Sequence, residues 1–148
     1  MTISLRAAAL VLAAAATACA MGRRPPAKAE EKTMTVLEWK GQQGGPPLHG
    51  HQVASDDFAW KGDWKELGQE APPLDFSRYA AVFVYVGHKT TGGYKVAWDE
   101  PVAQGDDLLV RYRILKPEGM VTQALTDPWH VRAFPKPKGR VIVEYRVR

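Results

Sequence analysis

The chain has 148 residues, 45% of them hydrophobic and 24% charged, with 13 glycines, 11 prolines and one cysteine. Its formal charge of +4 is unevenly placed: from Thr33 onward 15 basic residues stand against 14 acidic ones, so the folded part is close to neutral. The pI near 9.3 therefore argues little for nucleic-acid binding, which needs basic residues gathered on one face, and composition excludes collagen-like, coiled-coil and multi-span membrane classes.

At the start, Arg6 precedes the apolar run Ala7–Ala16 and the small residues Thr17 and Ala18, the pattern of an export signal. The run is too short to cross a hydrocarbon core of about 30 Å. Cys19 falls where cleavage is expected, and a single cysteine makes no internal disulfide. Ala16-Thr17-Ala18-Cys19 resembles the bacterial lipoprotein box, with alanine at position 16 where leucine is usual. The expectation is a lipoprotein-type signal over residues 1–18 and lipidation of Cys19. Two acyl chains suffice for stable attachment, which places the protein in the cell envelope, membrane-attached; without the acyl chains it is periplasmic or secreted. Residues 19–32 contain Pro25 and Pro26 and no aromatic or β-branched residue. They read as a flexible tether reaching up to roughly 40 Å.

From Thr33 the chain turns to short β-branched and aromatic runs separated by Gly, Pro and Asp. Thr33–Lys40 predicts a first strand, Gln42–Pro47 a Gly/Pro loop and His49–Ala54 a second strand. Ser55 is the expected helix cap, with Asp56 and Asp57 in the first turn. Phe58, Trp60, Trp64 and Leu67 supply the apolar face before Gly68 stops the run. Gly62 inside this helix costs about 1 kcal/mol relative to alanine. Ala80–Val86 is continuously apolar and predicts a strand buried on both faces, with Tyr94–Trp98 as its hairpin partner. Asp107–Leu115 alternates, with Leu108, Val110, Tyr112 and Ile114 on one side. Trp129–Phe134 and Val141–Val147 complete the set. Seven short strands and one short helix predict one mainly β domain over residues 33–148. It is a β-sandwich or a curved antiparallel sheet, immunoglobulin-like among the options, and α+β if the helix packs as a layer.

Residues able to carry chemistry are few. Beyond the leader only Ser55 and Ser77 offer serine hydroxyls, and each has a turn or cap to explain it. A nucleophile needs a base beside it, so His88 or His130 would have to fold against one of these serines. His49 and His51 point the same way on a strand, but the sequence places no third ligand near them, so no metal is expected. Asp56, Asp57 and Asp63 do not converge for calcium. No cofactor and no catalytic residue is expected, and the chain reads as a non-enzyme. Richer signals lie in Gly87–Tyr94, a Gly-Gly loop with threonine hydroxyls, and in Met120–His130, a long connection carrying large apolar side chains. Such connections are either pinned to the core or offered to a partner.

Asp75-Phe76-Ser77, the apolar strand ending at Gly87, Thr91-Gly92-Gly93-Tyr94, Asp107–Val110 and Thr122–His130 occur in an order that resembles the PrcB C-terminal domain family. The resemblance covers residues 75–148, with Trp129 where that family commonly has tyrosine. It implies an exported, often lipid-anchored accessory protein, since the founding member associates with and supports a secreted subtilisin-like protease. The implied partner is an extracytoplasmic protein such as a protease, with attachment to the membrane through the lipid and no nucleic acid. The partner-binding residues expected are Thr90, Thr91, Gly92, Gly93 and Tyr94 with Thr126, Asp127, Pro128, Trp129 and His130, as neighbouring loops at one end of the β domain. Thr90–Tyr94 followed by Trp98 is also similar to the inhibitory loop of chagasin-type cysteine-protease inhibitors, with one extra glycine and without their other loops. That likeness implies protease inhibition as an alternative. A purely structural envelope lipoprotein is a further one.

Overall fold

The computed structural model describes residues 37–147; the signal, Cys19, the tether and the first residues of the strand expected from Thr33 lie outside the described residues. Alternation along the central strands decides the layering. The element order is β1 (Leu37–Gly41), β2 (Gly50–Ala54), α1 (Asp57–Glu66), β3 (Tyr79–Tyr85), β4 (Lys95–Trp98), β5 (Val102–Gln104), β6 (Asp107–Leu115), β7 (Trp129–Pro135) and β8 (Val141–Tyr145). One four-stranded antiparallel sheet runs β1-β7-β3-β2. At its centre Ala81, Phe83 and Tyr85 of β3 lie opposite Ala133, Val131 and Trp129 of β7. These side chains face α1, where Trp60, Trp64 and Leu67 complete one core cluster. The alternate residues Val82 and Val84, with Phe134, turn to the opposite face. There they meet Leu108, Val110, Tyr112 and Ile114, the face of β6 that the alternation predicts.

β6 organises the second sheet, with β4 and β5 antiparallel to it and β8 parallel. The fold is mainly β, two sheets face to face, and the single helix covers the outer face of the first sheet as a third layer. β3 is buried on both faces as its continuous apolar run requires.

Four expectations need correction. Tyr94–Trp98 does not pair with β3; the strand is Lys95–Trp98 and it pairs with β6, so Gly87–Tyr94 crosses from one sheet to the other and is no hairpin. The second sheet is not wholly antiparallel, because β8 runs parallel to β6. The short, exposed β5 is an additional strand. Finally, the helix cap is Asp56, not Ser55: Asp56 has extended backbone and its Oδ1 accepts the Ala59 amide at 2.8 Å. A carboxylate there satisfies an orphan amide and meets the positive end of the helix dipole.

The helix also rotates differently from expectation. Trp60, Trp64 and Leu67, spaced by four and three residues, form one stripe. Phe58, two residues before Trp60, lies about 200° away round the axis and is 90% exposed. Each buried indole removes about 150–250 Å² from water, worth roughly 4–6 kcal/mol at 25 cal/mol/Å². That outweighs the Gly62 penalty, so packing rather than propensity holds this helix.

Candidate functional site

Three connections meet at one end of the sandwich: 42–49 between β1 and β2, 86–94 between β3 and β4, and 116–128 between β6 and β7. Backbone hydrogen bonds zip them together. Lys89 and Thr126 exchange both amide bonds at 2.8 Å, the Val86 amide donates to the Pro128 carbonyl at 2.9 Å, and the Gly92 amide donates to Thr122 at 3.0 Å. The Thr126 hydroxyl donates to the Thr91 carbonyl at 3.0 Å. The first loop joins through the Gly45 amide to the Asp127 carbonyl (3.0 Å), the Asp127 amide to Gln42 (3.1 Å) and the His88 amide to Pro47 (2.9 Å). Two glycines make the approach possible. Gly87 has φ +82°, and a Cβ there would sit 2.8 Å from the His49 nitrogen; Gly93 has φ +88°, and its Cβ would sit 2.8 Å from the Pro117 Cβ. Any L side chain would be strained at either position.

The two segments singled out in the sequence are thus neighbours, and their residues divide by exposure. Thr126, Pro128, Trp129 and His130 are buried, Thr91, Gly92, Tyr94 and Asp127 are half-buried, and Thr90 and Gly93 are exposed. Trp129 is 4% exposed. Its ring stands edge-on to Trp64 at 5.5 Å, and its Nε1–H donates to the Gln43 carbonyl at 2.8 Å. The Trp129 side chain therefore belongs to the core and pins the first loop. The surface is carried by others: Met120 is fully exposed, and Leu125 and Leu48 project into solvent. Between Gly92-Gly93 and Pro117–Thr122 runs an open groove of about 640 Å³, with Lys95 and Lys116 on its walls. A smaller cleft of about 180 Å³ lies beside it, between β4 and the ends of β1 and β7, lined by Lys40, Tyr94 and His130 among others. Lys89 lies over the Tyr94 ring, Nζ 5.4 Å from its centroid.

Two histidines border this end. His88 Nδ1 bonds Asp127 Oδ1 at 2.8 Å, which fixes one ring nitrogen. His130 accepts the Trp98 Nε1–H on Nδ1 at 3.3 Å. Burial holds the His130 imidazole below its ordinary pKa; nearby Glu38 pulls the other way, and Lys40 adds to the lowering. Among the described residues neither serine hydroxyl bonds a histidine: the Ser77 hydroxyl donates to Asp75 at 2.6 Å, closing a turn with the Ser77 amide. What the geometry offers is a preorganised face with backbone groups, lysines and isolated apolar side chains.

Sequence reasoning assigned 42–47 to a plain loop and missed its part. Gln43 supplies the carbonyl that holds Trp129, and its Nε2 donates to the Leu125 carbonyl at 2.9 Å. The Gly44-Gly45-Pro46-Pro47 run was the available signal, because small and kinked residues suit a segment laid closely against other backbone.

Residues 80–135 match the family model described as PrcB C-terminal. The match runs from β3 to the end of β7, and so contains both loops that the resemblance had pointed to. No curated protein and no solved structure matches the chain. With β3 from Ala80 onward, the crossing at Gly87–Tyr94 and the return through Thr126–Trp129 all inside the matched segment, this part of the chain is similar to the PrcB C-terminal family.

Proposed function

We propose that the chain is an exported, lipid-anchored accessory protein without catalysis of its own, which holds an extracytoplasmic protein, a protease, against the loop end of its β domain. The observation that carries this reading is the three-loop cluster. Its backbone is fixed by long-range hydrogen bonds, while Met120 and Leu125 stand in solvent on the same connection that supplies Thr126. Large exposed apolar side chains on an ordered loop are what a partner can cover at little entropic cost. The family match supports a role in a protease complex, and the Ala16-Thr17-Ala18-Cys19 sequence supports the anchor. Wall lysines Lys95 and Lys116, against the one wall carboxylate Glu118, leave the groove net positive and favour a partner surface with carboxylates beside its apolar centre.

The test is crosslinking in the native envelope, with a photoreactive residue replacing Met120 in one variant and Lys138 in another. A discrete adduct from position 120, absent from position 138 and lost in the Met120→Asp/Leu125→Asp variant at unchanged thermal stability, is expected. Adducts of equal yield from both positions, or none from position 120, overturn the reading. Mass spectrometry of the mature N-terminus reads the anchor separately, as an acylated Cys19.

A further inference from the structure

Where the 42–49 connection enters β2, at the margin of the loop cluster, two imidazoles converge on one buried phenol. His49 and His51 are two residues apart at the edge strand β2, and His51 lies opposite Val84 of β3. Both therefore sit on the face turned to the second sheet. From opposite positions they reach the hydroxyl of Tyr112 on β6: His49 Nε2 lies 3.0 Å and His51 Nδ1 3.2 Å from the same oxygen. Tyr112 is fully buried, whereas both histidines are exposed. Tyr145 closes one side, its ring 4.5 Å from that of His49. A single hydroxyl has one proton, so it can donate to one imidazole and must accept from the other. The arrangement therefore gathers two solvent-exposed imidazoles around one hydroxyl, with a ring nitrogen of each turned to the same point.

We propose that His49 and His51 form a binding site for a borderline divalent transition-metal ion, copper(II) or zinc(II), with the Tyr112 hydroxyl as the group that positions both rings. Imidazole nitrogen is a preferred donor for these ions. An ion needs each nitrogen at about 2.0–2.1 Å, roughly 1 Å closer to a common point than the hydroxyl oxygen is now. Exposed side chains make that movement by rotating about their own χ angles, while the buried tyrosine stays in place. Burial lowers the pKa of both histidines, with the neighbouring imidazole and Lys89 adding to the effect at His49. The Lys89 ammonium near His49 opposes a bound cation, and its removal favours one. Waters complete the coordination shell, which leaves the ion open to an exogenous ligand. Sequence spacing had shown the two histidines alone; the phenol comes from a strand 61 residues further along.

The experiment is titration of the untagged full chain with copper(II) and, separately, zinc(II), followed by calorimetry and, for copper, by electron paramagnetic resonance. One ion per chain is expected, with an affinity weakened roughly tenfold or more by His49→Ala or His51→Ala and abolished in the double variant. Folding of each variant is read by circular dichroism, and exposed histidines leave it unchanged. Lys89→Gln is expected to tighten binding. Tyr112→Phe keeps the ring in the core and is expected to change the copper spectrum; a spectrum identical to that of the unaltered chain removes Tyr112 from the site. No saturable binding, or binding undiminished in the His49→Ala/His51→Ala variant, overturns the proposal.

Discussion

Asp63 tests the packing account most directly, because replacing it should strengthen the fold. It lies on the inner side of α1 between Trp60 and Trp64 and is only 7% exposed. Burial first, and the Glu66 carboxylate second, push its pKa from 3.8 up to about 6. The native state thus holds a proton that the unfolded chain releases near pH 4. Stability from this group is greatest below pH 4 and is lost as pH rises through about 6. At neutral pH the full cost of that displacement is about 3 kcal/mol; solvent screening at the helix edge reduces it to about 1–2 kcal/mol. Asp63→Asn keeps the shape and removes the charge. It should stabilise the domain by about 1–2 kcal/mol at pH 7.5, equivalent to roughly 4–8 °C of melting temperature per kcal/mol, and by almost nothing at pH 4. Urea unfolding at the two pH values measures the difference through the midpoint at constant slope. A variant equally affected at both pH values, or less stable at pH 7.5, would refute the assignment of a strained carboxylate to this position.

Trp129→Ala removes a core indole and the bond that ties Gln43 to β7, so a loss of about 3–5 kcal/mol is expected in chemical unfolding, with loss of the 42–49 loop's protection from amide exchange. A loss under about 1 kcal/mol would return Trp129 to the surface. Gly93→Ala places a methyl 2.8 Å from the Pro117 Cβ at a φ of +88°, and should cost about 1–3 kcal/mol. The Gly92 amide, bonded to Thr122, should then exchange faster while β6 amides of the core keep their rates.

What could be read in the sequence was whatever depends on short-range periodicity. The alternation of Leu108, Val110, Tyr112 and Ile114 names the buried face of β6, and the unbroken Ala80–Val86 run announces a strand between two layers. The Trp60–Trp64–Leu67 stripe marks the helix face. Errors arose where local chemistry fits more than one long-range outcome. A Gly-Gly turn after an apolar strand serves a hairpin as well as a crossing between sheets, and only the pairing of Lys95–Trp98 with β6 decides between them. Nothing in Val141–Tyr145 distinguishes a parallel from an antiparallel partner. Phe58 misled because hydrophobicity was counted without phase, and the Asp56 cap because Ser, Asp and Asp stand in succession. The convergence of His49, His51 and Tyr112 rests on register between two sheets, which no spacing along the chain records.

The loop end shows why the matched segment should run from β3 to β7 and not stop at either loop. Lys89 and Thr126 form an isolated antiparallel bridge between the two connections, so 86–94 has a defined shape only while 116–128 is in place, and the reverse holds equally. Trp129 locks the second connection into the first sheet, and through Gln43 it brings in a third loop from outside the matched residues. Ordering these segments costs entropy of about 1–2 kcal/mol per residue, and folding meets that cost before any partner arrives. In the proposed docking, the buried members of the cluster act on affinity only through preorganisation. Substituting them would weaken binding in proportion to lost stability. Substitutions at Met120 or Leu125, which touch solvent, would weaken binding at constant stability. Plotting partner retention against unfolding free energy for both groups separates the two roles: the buried set falls along a single line, and the exposed pair falls below it.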